Sequence, residues 1–319
     1  MSFADPRVMQ AVQAFLAGHQ GEAVLALNTL AAAGHGEALR AVGELRWGGQ
    51  LDPDPAAARA LFERAALAGD RVAGHYATNL MASGIAGPRD WHGAVARLDE
   101  EAKSDPARAR ALALIGRMKL DEGGDPFAMP ASETVSEAPH VTRHPRLFTQ
   151  PECAYVLAVA QAGYGPSTVY DSQRRLVRDP IRTSDGSTLH WLIEDPAIHA
   201  LNRRIAAASG TQADQGEAAQ VLRYAQGQEY RPHFDFVRAA ANQRRQTALV
   251  WLNHDYRGGE TVFIRAGLKL KGKRGDAIVF RNALPDGGVD PMTEHAGLPV
   301  TAGTKFLYSR WIREARWVA

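Results

Sequence analysis

The sequence predicts a multidomain protein of α and α+β class. An N-terminal α-helical repeat solenoid covers residues 1–118, a linker covers 119–143, and a jelly-roll barrel with flanking helices covers 144–319. Four observations carry this reading. The first 118 residues are alanine-rich, with apolar positions at helical spacing. They also repeat. From Ser167 onward, short β-branched and aromatic runs alternate with Gly- and Pro-containing turns, as expected of two packed sheets or a barrel. A length of 319 residues fits two domains better than one core.

The repeat is visible in the letters. Ala33-Gly34-His35-Gly36-Glu37-Ala38 returns as Ala68-Gly69-Asp70-Arg71-Val72-Ala73, and a worn copy reads Lys103-Ser104-Asp105-Pro106-Ala107-Arg108. Gly34, Gly69 and Ser104 recur at an interval of 35 residues, as do Gly49 and Gly84, with Asp54 and Asp90 nearly so. A period of this length, with small residues where helices cross and Gly or Asp between them, marks stacked helical hairpins. The pattern resembles Sel1-like repeats, relatives of the tetratricopeptide repeat. Such a module either presents a concave surface to a protein or peptide, or only stabilises or dimerises the domain it is fused to.

Between Leu120 and Arg143 the apolar period stops and turn-formers take over, as in Glu122-Gly123-Gly124-Asp125-Pro126, which is the expected linker. A short helix is expected from Gln150 or Pro151 to about Gly163, with Thr149 as N-cap, and another over Pro196 to Ser209. Strands are expected at Ala219–Tyr224, Thr247–Asn253, Glu260–Ile264, Asp276–Arg281 and Lys305–Ile312.

Composition excludes several classes. Lys plus Arg number 37 against 35 Asp plus Glu, so no whole-protein field favours nucleic acid or an anionic membrane. The local basic runs Arg244-Arg245 and Lys269 to Arg274 read as solvated strand edges. The single cysteine, Cys153, permits no intrachain disulfide and reads as a buried apolar residue, which fits a reducing cytoplasm. The N-terminus shows no basic region followed by an apolar run, and no stretch approaches the ~18 apolar residues of a membrane span. A soluble, cytoplasmic protein is the expectation.

Chemistry concentrates in His233-Phe234-Asp235. On a strand, residues two apart point to one face, so His233 and Asp235 aim inward while Phe234 packs outward. Two imidazoles and one carboxylate hold non-haem Fe(II) on one face of its octahedron and leave three positions open. An H-x-D triplet alone is weak evidence, and the third ligand must come from another strand. The related triplet His35-Gly36-Glu37 lies in the helical repeat, where its side chains diverge around a turn, and is read as coincidence. His254, beside Asp255 at a strand end, is read as exposed.

The surroundings of the triplet are more specific. Tyr224-Ala225-Gln226-Gly227-Gln228-Glu229-Tyr230-Arg231-Pro232-His233-Phe234-Asp235, with the Gly258-Gly259-Glu260-Thr261 turn, resembles the prolyl 4-hydroxylase branch of the Fe(II)/2-oxoglutarate dioxygenases. The resemblance runs from about Pro145 to Trp311. It implies a double-stranded β-helix, which has the jelly-roll form, and an enzyme that uses Fe(II), 2-oxoglutarate and O2, with ascorbate as a further expectation. It implies that His233, Asp235 and His295 are the catalytic metal ligands, since His295 follows a Pro- and Gly-rich loop as the family's distal histidine does. Lys305, in Gly303-Thr304-Lys305-Phe306, then neutralises the distal carboxylate of 2-oxoglutarate, an unpaired buried charge being expensive. Strand alternation puts Lys305, Leu307 and Ser309 on one face and Arg310 on the other. Tyr224 is the expected hydroxyl partner of the cosubstrate, and Thr304 adds a hydrogen bond.

Ile181-Arg182-Thr183-Ser184 resembles a segment that lies near the active-site mouth in the same branch. Tyr170, Arg182, Tyr230 and Trp311 are the expected substrate-side residues, and aromatics beside an extended groove suit a polyproline-like segment. Asp276 matches the family pattern and is read as structural. The function this implies is prolyl 4-hydroxylation of a protein or peptide, docked by the helical repeats, with 2-oxoglutarate converted to succinate and CO2. Two rivals stand beside it: a hydroxylase of a free amino acid or small metabolite, and a non-catalytic interaction or sensor protein on a degenerate barrel.

Overall fold

The computed structural model describes residues 3–170 and 176–317. The chain divides into two compact units, Met1–Ile115 with Trp191–His199, and Gly116–His190 with Ala200–Ala319. Among the described residues no helix is long and apolar enough to cross a membrane.

The first unit contains α1 (Pro6–Leu16), α2 (Gln20–Ala32), α3 (Gly36–Trp47), α4 (Pro55–Leu67), α5 (Arg71–Ser83), α6 (Trp91–Ala102) and α7 (Pro106–Ile115), each packed on the next. Leu27, Leu39, Leu45, Phe62, Leu80 and Leu98 fill its interior, and fully buried alanines such as Ala38, Ala58, Ala73 and Ala77 let the helix axes approach closely. The 35-residue interval has a physical basis. Gly34 and Gly69 end α2 and α4 at φ of +81° and +88°, where a side chain would be strained. His35 and Asp70 then cap α3 and α5, and Asp105 accepts from the first turn of α7. Buried Arg40 of α3 reaches Asp70 at 2.9 Å, and thirty-five residues on, His75 of α5 stands 3.7 Å from Asp105. His35 also contacts Asp5, and Glu37 accepts from the backbone of Ala4 and Asp5, so the H-x-E triplet is structural. The segment Trp191–His199 joins this unit, where Asn79 of α5 donates to the Leu192 carbonyl at 2.7 Å. Sequence reading had grouped these residues with the barrel.

The second unit holds β1 (Glu133–Glu137), β2 (His140–His144), α8 (Gln150–Ala160), β3 (Gly165–Pro166), β4 (Thr168–Tyr170), β5 (Leu176–Arg178), β6 (Asp185–Leu189), α9 (Pro196–Ser209, from Ala200 on), β7 (Ala219–Tyr224), β8 (Tyr230–His233), β9 (Arg244–Trp251), β10 (Arg257–Gly258), β11 (Thr261–Phe263), β12 (Leu268–Leu270), β13 (Ala277–Arg281), β14 (His295–Gly297), β15 (Val300–Ala302) and β16 (Lys305–Arg313). One sheet has eight strands in the order β1-β2-β13-β9-β16-β7-β6-β3, and a second has four in the order β12-β11-β14-β8. β10 pairs with β15 and β4 with β5. Leu222, Leu249, Trp251, Phe280 and Leu307 of the large sheet share one core with Phe263 of the small one, as in a jelly roll. The other face of the large sheet meets the helices: Tyr308 packs edge-on against Phe148 and donates to Asn202 of α9. Thr149 caps α8 in a capping box with Glu152, as its sequence predicts.

The stretch read as a linker differs from its expectation. Its end contains β1 and the start of β2, a hairpin that extends the large sheet through β13. Asp125 pairs with Arg203, so the turn-rich part is also held. Thr134-Val135-Ser136 and Val141-Thr142 alternate too briefly, with too few apolar residues, to register as strands in the sequence alone.

Candidate active site

The site grows out of one strand pair. β8 and β14 run antiparallel with His233 opposite His295, so the two imidazoles meet at a centroid distance of 4.2 Å. Each ring is oriented by the backbone two residues earlier. His233 Nδ1 lies 2.8 Å from the Arg231 carbonyl and His295 Nδ1 lies 2.9 Å from the Thr293 carbonyl. A carbonyl can only accept, so Nδ1 carries the proton and Nε2 presents a lone pair to the interior. Tyr230 stacks on His233 at 3.5 Å and 15°.

β8 ends at His233, and Asp235 lies in the bend that follows. The two side chains still converge, with His233 Nε2 3.7 Å from Asp235 Oδ1 and His295 Nε2 3.7 Å from Asp235 Oδ2. Phe234 turns outward and is 37% exposed. One donor atom from each of His233, Asp235 and His295 lies within 4.8 Å of the others, and the side chains are 7%, 5% and 6% exposed respectively. Burial, then the neighbouring His295, pushes His233 down to about 4, so its imidazole is neutral at neutral pH. Burial opposes ionisation of Asp235, but His295, His233 and the Thr247 hydroxyl outweigh it and hold the carboxyl below its usual range. Two imidazoles whose Nε2 atoms face the interior and one carboxylate, converging on the same point, fit a divalent first-row cation such as Fe(II).

Lys305, Leu307, Ser309 and Trp311 line the same cavity from alternate positions of β16. Lys305 is buried, donates to the Gly259 carbonyl at 2.8 Å, and is pushed down to about 8 by burial. Tyr224 lies opposite it on β7, and burial pushes the phenol up to about 12. Arg182 reaches the wall with its guanidinium 5.3 Å from the Tyr230 ring centre and 3.5 Å from Asp179. The space inside the cavity is about 30 Å³.

The structure therefore brings His233, Asp235, His295, Lys305, Tyr224, Arg182, Tyr230 and Trp311 to one cavity. Thr304 is not on its wall: alternation turns it away from Lys305, and its carbonyl accepts from Asn253. Tyr170 ends β4, and its side chain lies outside the described residues. His254 is exposed, Arg310 donates to the Ala213 carbonyl on the helix side, and Asp276 accepts from Arg143, Arg146 and Lys273 as a structural acid. Sequence reading missed Thr247 and Thr261. Thr261 lines the cavity and Thr247 donates to Asp235. The signal for Thr247 was alternation: it shares a strand face with Leu249, and a polar residue on an inward face calls for a partner.

Comparison with known proteins gives concordant matches. The sequence model of the 2OG-Fe(II) oxygenase superfamily matches residues 219–313. A probable prolyl 4-hydroxylase 3 of Arabidopsis thaliana is 32% identical over 239 residues, 67% of this chain and 82% of the relative. Prolyl 4-hydroxylase 1 of the same plant is 35% identical over 202 residues, 57% of this chain and 71% of the relative. Among solved structures, the viral collagen prolyl hydroxylase of Paramecium bursaria Chlorella virus-1, in its 2OG complex, is 26% identical with a TM-score of 0.43, covering 57% of this chain and 99% of that one.

Proposed function

We propose that this chain, which belongs to the prolyl 4-hydroxylase family of the 2OG-Fe(II) oxygenases, hydroxylates prolyl residues of a protein or peptide. It is a 2-oxoglutarate-dependent dioxygenase. One atom of O2 enters succinate as 2-oxoglutarate loses CO2, and the other becomes the hydroxyl of the product. The observation that carries this reading is the convergence of His233, Asp235 and His295 in a cavity whose wall also holds buried Lys305.

In this reading His233, Asp235 and His295 hold the iron, which when bound supplies the oxygen-activating redox chemistry that no side chain provides. Lys305 takes the distal carboxylate of 2-oxoglutarate, a cation in a dry pocket being matched to a buried anion. Tyr224 offers its hydroxyl to the same ligand. Tyr230, Arg182 and Trp311 shape the substrate side, where flat aromatic faces suit a proline-containing segment. The apolar walls of Leu222, Leu249 and Leu307 exclude water from the reacting atoms.

The helical unit is assigned a docking role for that protein or peptide. A cavity of about 310 Å³ between its helices, lined by Asp70, Arg71, His75, Arg97 and Glu100, supports this by offering charged groups of both signs. A cytoplasmic location is part of the same reading, supported by the single, buried Cys153.

The test is mass spectrometry of proline-containing peptides incubated with Fe(II) and 2-oxoglutarate. Gain of one oxygen on a prolyl residue, lost with His233→Ala, is the expected result. Oxygen gain on a free amino acid with none on any peptide would replace the substrate assignment.

A further inference from the structure

Outside the residues already given roles, one buried polar chain leads away from the cavity. Thr247 Oγ1 donates to Asp235 Oδ2 at 2.7 Å, and Asn282 Nδ2 donates to Thr247 Oγ1 at 2.9 Å. All three residues are buried, Asn282 completely. We propose that Thr247 and Asn282 are positioning residues that fix the Asp235 carboxylate for the metal, an inference that rests on the iron-site reading above.

Chemistry sets the direction of each bond. An ionised carboxylate only accepts, so the single hydroxyl proton of Thr247 is committed to Asp235. The hydroxyl oxygen is then left to accept, and only the amide nitrogen of Asn282 can supply that proton. Asn282 Oδ1 is buried without a partner, so the amide's orientation is set by what Thr247 needs rather than by its own acceptor. With Oδ2 held in this way, the carboxylate is not free to rotate away from the two imidazoles.

The same asparagine anchors the loop that delivers His295. Its N–H donates to the Arg245 carbonyl, and its own carbonyl accepts from Asp290 N–H at 3.2 Å. Thr293 Oγ1 donates to the Asp290 carbonyl at 2.6 Å, and the Thr293 carbonyl orients His295. A continuous run of bonded residues therefore links Asp235 to His295 through Thr247, Asn282, Asp290 and Thr293. Thr247 sits on central strand β9, opposite Phe280 of β13, and Asn282 directly follows β13, so the frame is part of the sheet.

The test is anaerobic calorimetric titration of the full-length chain with Fe(II), and with Mn(II) as a redox-inert probe. Thr247→Val keeps the shape and removes the proton. It should weaken the apparent metal affinity by roughly 10–100-fold, as loss of an outer partner does at other metal sites. Thr247→Ser should restore most of the loss, and Asn282→Leu should weaken binding in the same direction. His233→Ala is the control for the site itself. Metal binding at parental strength in Thr247→Val, with none in His233→Ala, overturns the positioning role and leaves the iron site standing. Parental binding in His233→Ala overturns the site. Should Thr247→Val lose the parent's near-ultraviolet circular dichroism, the serine and leucine variants decide: weakened binding in Asn282→Leu alone supports the role, and parental binding in both refutes it.

Discussion

Lys305 and Tyr224 are direct partners across β16 and β7, with the lysine nitrogen 5.3 Å from the centre of the tyrosine ring. Both residues line the cavity, and the lysine has the Gly259 carbonyl as its hydrogen-bond acceptor. A cation in this position is stable only while it is offered acceptors or an anion, which is why burial drags it down to about 8.

That shift predicts how cosubstrate binding depends on pH. Below about 8 the free protein already carries the ammonium, so 2-oxoglutarate binds without proton uptake. Above it the lysine is neutral, and the arriving carboxylate must bring a proton with it. The apparent dissociation constant for 2-oxoglutarate should then rise about tenfold per pH unit. Lys305→Arg, charged throughout, should flatten the profile even where its absolute affinity is lower. Lys305→Ala should raise KM for 2-oxoglutarate far more than KM for peptide, and steady-state kinetics with each substrate varied in turn reads the difference.

Tyr230 stacks on the metal-facing histidine His233, and its truncation should loosen that ring. Tyr230→Ala is expected to weaken metal binding by about twofold to twelvefold, the equivalent of an aromatic contact of ~0.5–1.5 kcal/mol. Tyr230→Phe should remain close to the parent, because the stack needs the ring and not the hydroxyl. Metal titration of the two variants side by side checks both statements.

In the helical unit, Asn79 donates to the Leu192 carbonyl and accepts from Arg108 at 3.0 Å, all in buried surroundings. Asn79→Leu leaves a buried carbonyl and part of a guanidinium unsatisfied. The expected loss is about 1–3 kcal/mol of stability, measured by urea denaturation. A change near zero would show that water replaces the amide.

These relationships were legible in the sequence to different depths. His233, Asp235 and Lys305 could be placed because the letters around them resemble one family's pattern, and alternation along the Lys305–Ile312 strand set which residues share the face of Lys305; the bend that carries Asp235 past the end of β8 was not legible. The strands around Leu222, Leu249, Phe280 and Leu307 appeared because their runs carry strong β signals, and Thr149 and the 35-residue interval follow from capping and turn chemistry within a few residues. What stayed hidden depends on register between distant strands. Nothing local says that Thr247 would meet Asp235, or that Asn282, just beyond the strand read at Asp276–Arg281, would meet Thr247. The β1–β2 hairpin was missed because its alternation is short and polar. Trp191–His199 was grouped with the barrel because its link to Asn79 spans more than a hundred residues. Thr304 was expected to add a hydrogen bond there, but it precedes β16 and its carbonyl accepts from Asn253.

The central claim is that His233, Asp235 and His295 grip one ferrous ion to which 2-oxoglutarate then binds. Its most direct test is anaerobic addition of Fe(II) and then 2-oxoglutarate, following the visible charge-transfer absorption that a 2-oxo acid develops when chelated to ferrous iron. The parent protein should develop that absorption in proportion to iron added, up to one ion per chain, and His233→Ala should develop none. The same absorption at the same stoichiometry in both proteins would contradict the account.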